Sequence, residues 1–257
     1  MTNDSEIQPN PSKPAHKPLS RLALGVLAFA ILVTVIGVMA GFGSRWGLWN
    51  FRTGFSMLRW AAYGGILTIA LGAVALYRAR PNGPRRGLAA AAAALLLGLL
   101  VVGVPWLNQR AAAGAPPIHD ITTDTENPPP FVAVAPLRAD APNPVEYGGE
   151  ETAVQQRRAF PEIRPVILDL PADRAFQRAL DAAAAQGWEI VDANPADGRI
   201  EATDRTFWFG FYDDVVIRLT PLDGRTVLDV RSKSRIGRGD MGTNARRVRE
   251  YIADVVG

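Results

Sequence analysis

Three long runs without a charged side chain dominate the first part of the sequence. They cover residues 22–40, 60–77 and 88–107, and each has roughly the 18 to 20 residues that cross about 30 Å of hydrocarbon. Short arginine-bearing segments join the runs, so a water-soluble bundle made from them would lack polar faces. The pattern predicts a membrane domain at residues 1–110 with three transmembrane helices.

A proline-rich segment follows the third run. Residues 115–146 contain eight prolines, three of them consecutive at positions 128–130. Prolines at this density forbid a continuous helix and favour extended chain. We therefore expect residues 111–146 to form an extended linker to a C-terminal domain at residues 147–257.

The first part of the C-terminal domain has a strand, a helix and a second strand in its pattern. The apolar run 166–170 indicates a strand. Pro171 opens a helix in its favoured first position, with Phe176 and Leu180 on its apolar face, and Gly187 ends that helix. The sequence WEIVDA then indicates the next strand.

The rest of this domain alternates with the period of a strand. Alternation covers RIEATD, the aromatic run 207–212 and the apolar positions of 215–219, and Asp223 with Gly224 predicts a hairpin turn. Thr243 or Asn244 can cap a last helix. The order of elements predicts an α+β domain, an antiparallel sheet with helices on one face, similar to a helix-grip arrangement.

Charge divides the chain at the same place. Residues 1–110 carry 11 Lys and Arg against 2 acidic residues, whereas residues 111–257 carry 17 against 23. The positive net charge of the whole chain therefore comes from the membrane domain and gives no argument for nucleic-acid binding. The spans contain no Asp, Glu, His, Lys or Arg, which argues against a transporter. Because the chain has no cysteine, disulfides and thiolate metal sites are excluded.

The distribution of Lys and Arg near the ends of the spans predicts the orientation. With the N-terminus inside, 7 basic residues face the cytoplasm and 4 face the other side. We expect a multi-pass protein of the inner membrane, with a cytoplasmic N-terminus and a periplasmic C-terminal domain. The first group comprises Lys13, Lys17, Arg21, Arg78, Arg80, Arg85 and Arg86; the second comprises Arg45, Arg52, Arg59 and Arg110.

Several separated motifs occur in order along the second half. They are PPIHDITTDTENPPPFVAVAPLR from residue 116, YGG at 147–149, GWEIV at 187–191, GRIEAT at 198–203, DDVVIRL at 213–219 and DVRSKSRIGRGDMGTNARRVREY at 229–251. With these motifs the chain resembles a bacterial envelope family named only as domain of unknown function fourteen ninety-nine. The resemblance implies a domain of this family after residue 116 and implies no activity.

A glycine motif, Gly237, Gly239 and Gly242, lies between a predicted strand and the last helix. A dinucleotide site would need a parallel βαβ unit and a later acidic residue, for which no chain follows. We predict instead an anion-binding helix start with arginines around it. Its candidate residues are Arg231, Arg235, Gly237, Arg238, Gly242, Asn244 and Arg246. The alternative is that these arginines pair with the domain's own carboxylates.

A second candidate site lies in the linker. His119 stands close to Asp120, Asp124 and Glu126. The functional interpretation is an oxygen-rich cation site or a histidine base held by a carboxylate, the latter being that of an envelope hydrolase. The other is that these polar side chains close local turns on their own backbone. We expect no metal and no cofactor, since the usual zinc ligands are missing around His119.

The function that these patterns favour is therefore not enzymatic. We predict an inner-membrane protein that presents a binding or assembly domain to the envelope. Its partners are expected to be the lipid bilayer and an anionic lipid, glycan or acidic protein, without nucleic acid or dinucleotide. The hydrolase at His119 and a purely structural envelope protein remain the alternatives.

Overall fold

Three long apolar helices open the fold. The computed structural model describes residues 17–83 and 85–257, and its first elements are α1 (Arg21–Arg45), α2 (Phe51–Arg78) and α3 (Leu88–Ala111). All three are long and apolar enough to cross a membrane, as predicted. α2 begins nine residues before the apolar run at 60–77, so much of the aromatic and arginine-bearing segment before that run is helical.

The chain divides into two compact units. The first comprises the described residues of Met1–Met39 together with Phe55–Val104, and the second comprises Ala40–Gly54 and Pro105–Gly257. In the first unit the helices meet through small side chains, such as Ala23 against Ala75 and Ala91, or Ala30 against Ala94. Small residues let the helix backbones approach closely, which is how helices associate in lipid.

The second unit contains an antiparallel sheet with helices. Its described strands follow the order β1-β6-β5-β4-β3, and β2 pairs with the same edge of β6 as β1 does, at a different register. The strands are β1 (Asp120–Thr122), β2 (Val166–Leu168), β3 (Glu189–Asn194), β4 (Arg199–Arg205), β5 (Tyr212–Leu222) and β6 (Arg225–Ser234). The helices are α4 (Gly149–Ala159), α5 (Ala172–Ala185) and α6 (Thr243–Val256), with a short 3-10 helix at Ala135–Arg138. This is the predicted fold class.

One face of the sheet is apolar and is covered by α5 and α6. Ile200, Ile217 and Leu228 lie fully buried against the apolar faces of these helices. Tyr251 of α6 stacks on Trp188 with ring centroids 5.0 Å apart, and its hydroxyl donates to the Ala179 carbonyl of α5. This contact joins the two helices over the core.

The other face of the sheet is charged. In the register, Asp214 of β5 lies opposite Lys233 of β6, and Lys233 lies opposite Asp120 of β1, so their side chains share one face. Arg138 reaches this face from the proline-rich segment and donates to Asp214 at 2.6 Å. Both side chains of that pair are almost completely buried.

The proline-rich segment is packed rather than free. It contributes β1, the 3-10 helix and the buried side chains of Phe131 and Val134. Buried Glu201 of β4 accepts hydrogen bonds from three consecutive backbone amides of the segment, at residues 132, 133 and 134. We call residues 123–147, which cover the charged face, the strap.

Three features of this unit differ from the expectation. β1 and α4 are not predicted by the sequence pattern, and residues 207–211 form a loop instead of a strand. Thr206 and Phe211 close this loop, because the Thr206 amide donates to the Phe211 carbonyl at 2.8 Å and the Phe211 amide donates to the Thr206 hydroxyl at 2.8 Å. Gly210 supplies the required positive φ of 70°. We call residues 206–211 the aromatic loop.

Removal of the Asp214 charge tests how much the charged face contributes to the stability of the domain. We expect Asp214→Asn to lower the free energy of unfolding by about 3–5 kcal/mol, because two guanidinium groups that depend on it lose their counter-charge. Thermal melts of the full-length protein in detergent would measure the change. Glu150→Gln is the control, since the pair of Glu150 with Arg157 is largely exposed and is worth under about 1 kcal/mol. Equal shifts would contradict the proposed importance of the buried pair.

Candidate functional site

Asp120 is the centre of one buried charge cluster. Arg231 donates to its two carboxylate oxygens at 2.9 and 2.8 Å, and the ammonium of Lys233 lies 3.0 Å from it. The remaining donors of the two cations turn to the strap, where they bond the carbonyls of Pro129, Val145 and Glu146. Burial lowers the pKa of Lys233 below its usual value. The cluster therefore fastens the strap to β6.

Asp214 is the centre of a second cluster beside the first. Arg235 makes a bidentate pair with it at 2.8 Å for both contacts, and Thr203 donates to it at 2.7 Å. Arg138 completes the cluster and also donates to the carbonyls of Lys233 and Ser234. Two of the predicted anion-binding arginines, Arg231 and Arg235, thus have carboxylate partners inside the domain.

The start of α6 also has an internal partner. Gly242 has a φ of 79° and precedes the helix, and its amide donates to Asp240 at 2.9 Å while the Asn244 amide donates to the other oxygen at 2.6 Å. The Asn244 side chain is buried, where it accepts from Ser232 and Arg247. The predicted helix start is therefore occupied by the carboxylate of Asp240.

The glycine loop before α6 contacts the last part of the strap and the residues just before β1. The carbonyl of Gly237 accepts from Asn143, and the Asp240 amide donates to the Ile118 carbonyl. Gly237 has a φ of 108°, a conformation that side chains rarely adopt. The predicted residues Gly237, Gly242 and Asn244 are thus brought together as parts of a folded loop.

Arg238 and Arg246 are the exposed arginines of the predicted set. Arg246 has a distant ion-pair partner, Glu250 at 4.0 Å, and both side chains of that pair are more than half exposed. Arg246 also lines a cavity of about 370 Å³ beside the first turn of α6. The other lining residues are Gln186, Trp188, Asp204, Arg205, Thr206, Phe207, Thr243, Arg247 and Glu250. We call this space the α6 cavity.

Of the charged groups that line the α6 cavity, Asp204 and Arg247 are closely paired, whereas Arg205, Arg246 and Glu250 are not. Asp204 accepts from Arg247 at 2.6 Å, and Arg247 also donates to Asp213 at 2.7 Å. Burial raises the pKa of Asp213 in spite of this arginine. Arg246 and Arg205 remain as cations that do not pair with a carboxylate within 3.5 Å in the described chain.

Arg205 connects the α6 cavity to the end of α1. Its guanidinium donates to the backbone carbonyl of Arg45, and Arg45 donates back to the Thr206 carbonyl at 2.6 Å. Phe42 packs edge to face on Phe207 with ring centroids 5.5 Å apart. All of these residues belong to the second unit, so the aromatic loop is packed on the turn between α1 and α2.

His119 lines a separate cavity of about 210 Å³ together with Asp120, Lys233 and residues at the start of α4. Its ring nitrogen Nδ1 lies 3.5 Å from the Arg238 carbonyl. Asp120 is held by Arg231 and Lys233 as above. Asp124 accepts from the amides of residues 126 and 127 and from Arg218. The structure therefore brings His119 and Asp120 to one cavity and uses Asp124 for a local turn.

Two residues of these sites are missed by the sequence patterns. Arg138 lies in the strap, and its partner Asp214 is 76 positions away, so no local signal pairs them. Arg205 is the last residue of β4 before the aromatic loop. A basic residue at the end of an alternating run, directly before a cluster of aromatic side chains, is the signal that could have identified it.

The fold and these clusters define an α+β domain whose charged sheet face is closed by a strap, preceded by three helices long and apolar enough to span a membrane. The family described as protein of unknown function (DUF1499) matches residues 120–255, which is more than half of the chain. The protein belongs to this family, and the resemblance seen in its motifs is confirmed. None of the curated proteins compared with the chain matches it.

The role of Asp240 as the cap of α6 can be tested directly. We expect Asp240→Ala to lower the free energy of unfolding by about 1 kcal/mol, because two amides at the helix start lose their acceptor. Asp240→Asn keeps one acceptor oxygen and should cost less. Thermal melts of both variants measure the difference, and an Ala variant as stable as the natural protein would contradict this capping role.

The pKa of His119 predicts a pH dependence. Burial lowers this pKa below its ordinary value of 6.5, so the folded state binds the proton less tightly than the unfolded state does. The resulting stability is present above pH 6.5 and is lost as the pH falls through the lowered folded pKa. We expect His119→Gln to remove this part of the acid destabilisation in melts recorded from about pH 8 to pH 5. His16→Gln exchanges the other histidine as a control, and an equal effect of both would refute the assignment.

Proposed function

We propose that this protein is a membrane-anchored binding protein whose α6 cavity receives the anionic headgroup of a membrane lipid. The observation that carries the proposal is the convergence of Arg246 and Arg205 on this cavity, where Arg246 has only the exposed Glu250 at 4.0 Å and Arg205 forms no ion pair with a described residue. A guanidinium group can donate two hydrogen bonds to one phosphate. Trp188 and Phe207 add an aromatic wall suited to the glycerol and upper acyl part of a lipid.

The contact with α1 supports a lipid over a soluble ligand. Arg205 and Phe207 line the α6 cavity and also contact Arg45 and Phe42, at the end of a helix long and apolar enough to span a membrane. The end of such a helix lies at the level of the headgroups. A cavity attached to that end is within reach of a headgroup in the same leaflet.

The orientation is part of the proposal. The bias of Lys and Arg puts the N-terminus in the cytoplasm, and three spans then put the second unit on the opposite side. In a bacterial cell with two membranes, this side is the periplasm and the anchoring membrane is the inner membrane. Lys13, which contributes to the bias, lies outside the described residues.

In this proposal the predicted anion-binding residues have three roles. Arg246 contacts the ligand, with Arg205 added to the predicted set. Arg231 and Arg235 hold the strap, and Asn244 with Gly237 and Gly242 shapes the loop before α6. The ligand therefore meets a preformed surface, which reduces the entropy lost on binding.

Titration of the full-length protein in detergent with short-chain phosphatidylglycerol tests the proposal. We expect Arg246→Gln to weaken binding by about tenfold or more, since a charge-assisted hydrogen bond contributes about 1.5–3 kcal/mol. Arg238→Gln is the matched control, because it removes the same charge from an exposed arginine that does not line the cavity. Isothermal titration calorimetry gives both affinities.

The other ligand classes are outcomes of the same experiment. Short-chain phosphatidylcholine should bind far more weakly, because its headgroup has no net charge. Equal affinities of the Arg246 and Arg238 variants would contradict the proposed site. Tighter binding of an anionic oligosaccharide or of polyglutamate than of phosphatidylglycerol would overturn the lipid assignment in favour of a glycan or an acidic protein.

A further inference from the structure

A second basic cavity lies at one end of the first unit, where α1 begins and α2 ends. Its volume is about 780 Å³, more than twice that of the α6 cavity. The lining residues are Pro18, Leu19, Ser20, Arg21, Leu22, Leu24, Arg78 and Arg85. They come from the segment before α1, the first turns of α1, the last residue of α2 and the α2–α3 connection. We call this space the bundle-end cavity.

The walls of the bundle-end cavity are fastened to one another by the backbone. The Ser20 amide donates to the Arg86 carbonyl at 2.8 Å, and the Arg86 amide donates to the Pro18 carbonyl at 3.0 Å. Lys17 reaches the Pro81 carbonyl at 2.6 Å, and the Ser20 hydroxyl accepts from the Ala23 amide in the first turn of α1. The segment before α1 and the α2–α3 connection therefore hold the cavity open as a built shape.

The charge of the bundle-end cavity is not compensated by the described chain. Its three guanidinium groups, at Arg21, Arg78 and Arg85, form no ion pair with any described residue. The sequence contains no acidic residue between Glu6 and Asp120, and Asp4 and Glu6 lie outside the described residues. The contrast with the second unit is clear, since Arg138, Arg231, Arg235 and Arg247 all have buried carboxylate partners there.

Apolar side chains border the three arginines. Leu19 is 55% exposed and Leu24 is 45% exposed, and both line the cavity. Leu24 lies on α1, where the apolar span begins. A site that combines cations with exposed leucines matches a molecule with a negative headgroup and an apolar tail. Basic pockets between transmembrane helices bind such headgroups.

We propose that the bundle-end cavity is a binding site for an anionic phospholipid. Arg21, Arg78 and Arg85 hold the phosphate, and Leu19 and Leu24 contact the beginning of the acyl chains. Arg78 is the last residue of α2. This site uses no residue of the α6 cavity, so each of the two sites can fail without the other. The orientation of the spans depends only on the number of basic residues at their ends. The proposed site instead requires that three of these residues bind one phosphate together.

Native mass spectrometry of the full-length protein tests the site. The protein is titrated with phosphatidylglycerol or with phosphatidylcholine, and the number of retained lipids is counted. We expect Arg21→Gln with Arg78→Gln to weaken retention of phosphatidylglycerol about tenfold or more, since bidentate contacts to phosphate are lost. The matched control is Arg80→Gln with Arg86→Gln. It removes the same charge from the same end of the unit, but neither side chain lines the cavity.

Two further measurements distinguish the proposed site from general charge attraction and from binding of a soluble phosphate. Arg21→Lys with Arg78→Lys keeps the positive charge that orients the spans but loses the bidentate geometry, so intermediate retention is expected with an unchanged topology. Glycerol phosphate, added in excess, should displace little lipid because it lacks the acyl chains. Equal loss in the two Gln double variants would show general charge attraction and overturn the proposal. Full displacement by glycerol phosphate would show a site for a soluble phosphate and would also overturn it.

Discussion

The closure of a charged sheet face by the strap is the constraint on which the second unit depends. Asp120 lies between two cations of β6, and Asp214 lies between Arg138 of the strap and Arg235, the residue directly after β6. Breaking a buried ion pair is costly because one charge remains without compensation. The strap supplies Arg138 and a set of backbone carbonyls, so the sheet and its cover are stable only together. The apolar face under α5 and α6 provides the hydrophobic core, and the charged face fixes how the rest of the chain is arranged.

This arrangement gives the arginines of the protein two different uses. Arginines that pair with buried carboxylates stabilise the fold. Their guanidinium groups are already hydrogen-bonded and do not bind an external anion. Arg246 and Arg205 at the α6 cavity, and Arg21, Arg78 and Arg85 at the bundle-end cavity, have no such close partner among the described residues. The difference lies in where the carboxylates are, since the second half of the chain holds nearly all of them. The bundle-end cavity follows from that difference, whereas Asp204 and Glu250 line the α6 cavity together with its arginines.

The sequence patterns predict the spans and the fold class because both depend on local periodicity. Charge-free runs near 20 residues and alternating strands can be recognised without tertiary information. β1 could not be predicted in this way, since a three-residue strand between prolines exists through its pairing with β6. The different roles of Arg231 and Arg246 could not be predicted either, because both are arginines of the same basic motif. Arg231 shares a sheet face with Asp120 and binds its carboxylate, whereas the position of Arg246 on α6 leaves it exposed. The sequence patterns therefore indicated the segment that contains the site residues. They did not indicate which of its arginines lack a close carboxylate partner.

The position of β6 has a consequence for biogenesis. β6 is the last strand in sequence, yet it lies inside the sheet, with β5 on one edge and β1 and β2 on the other. Asp120 and its partner Arg231 are 111 positions apart. On the ribosome, the segment that becomes β1 must wait without a partner until β6 has been synthesised. Such long-range pairing makes folding slow, and the strap cannot close on the sheet before β6 has been synthesised.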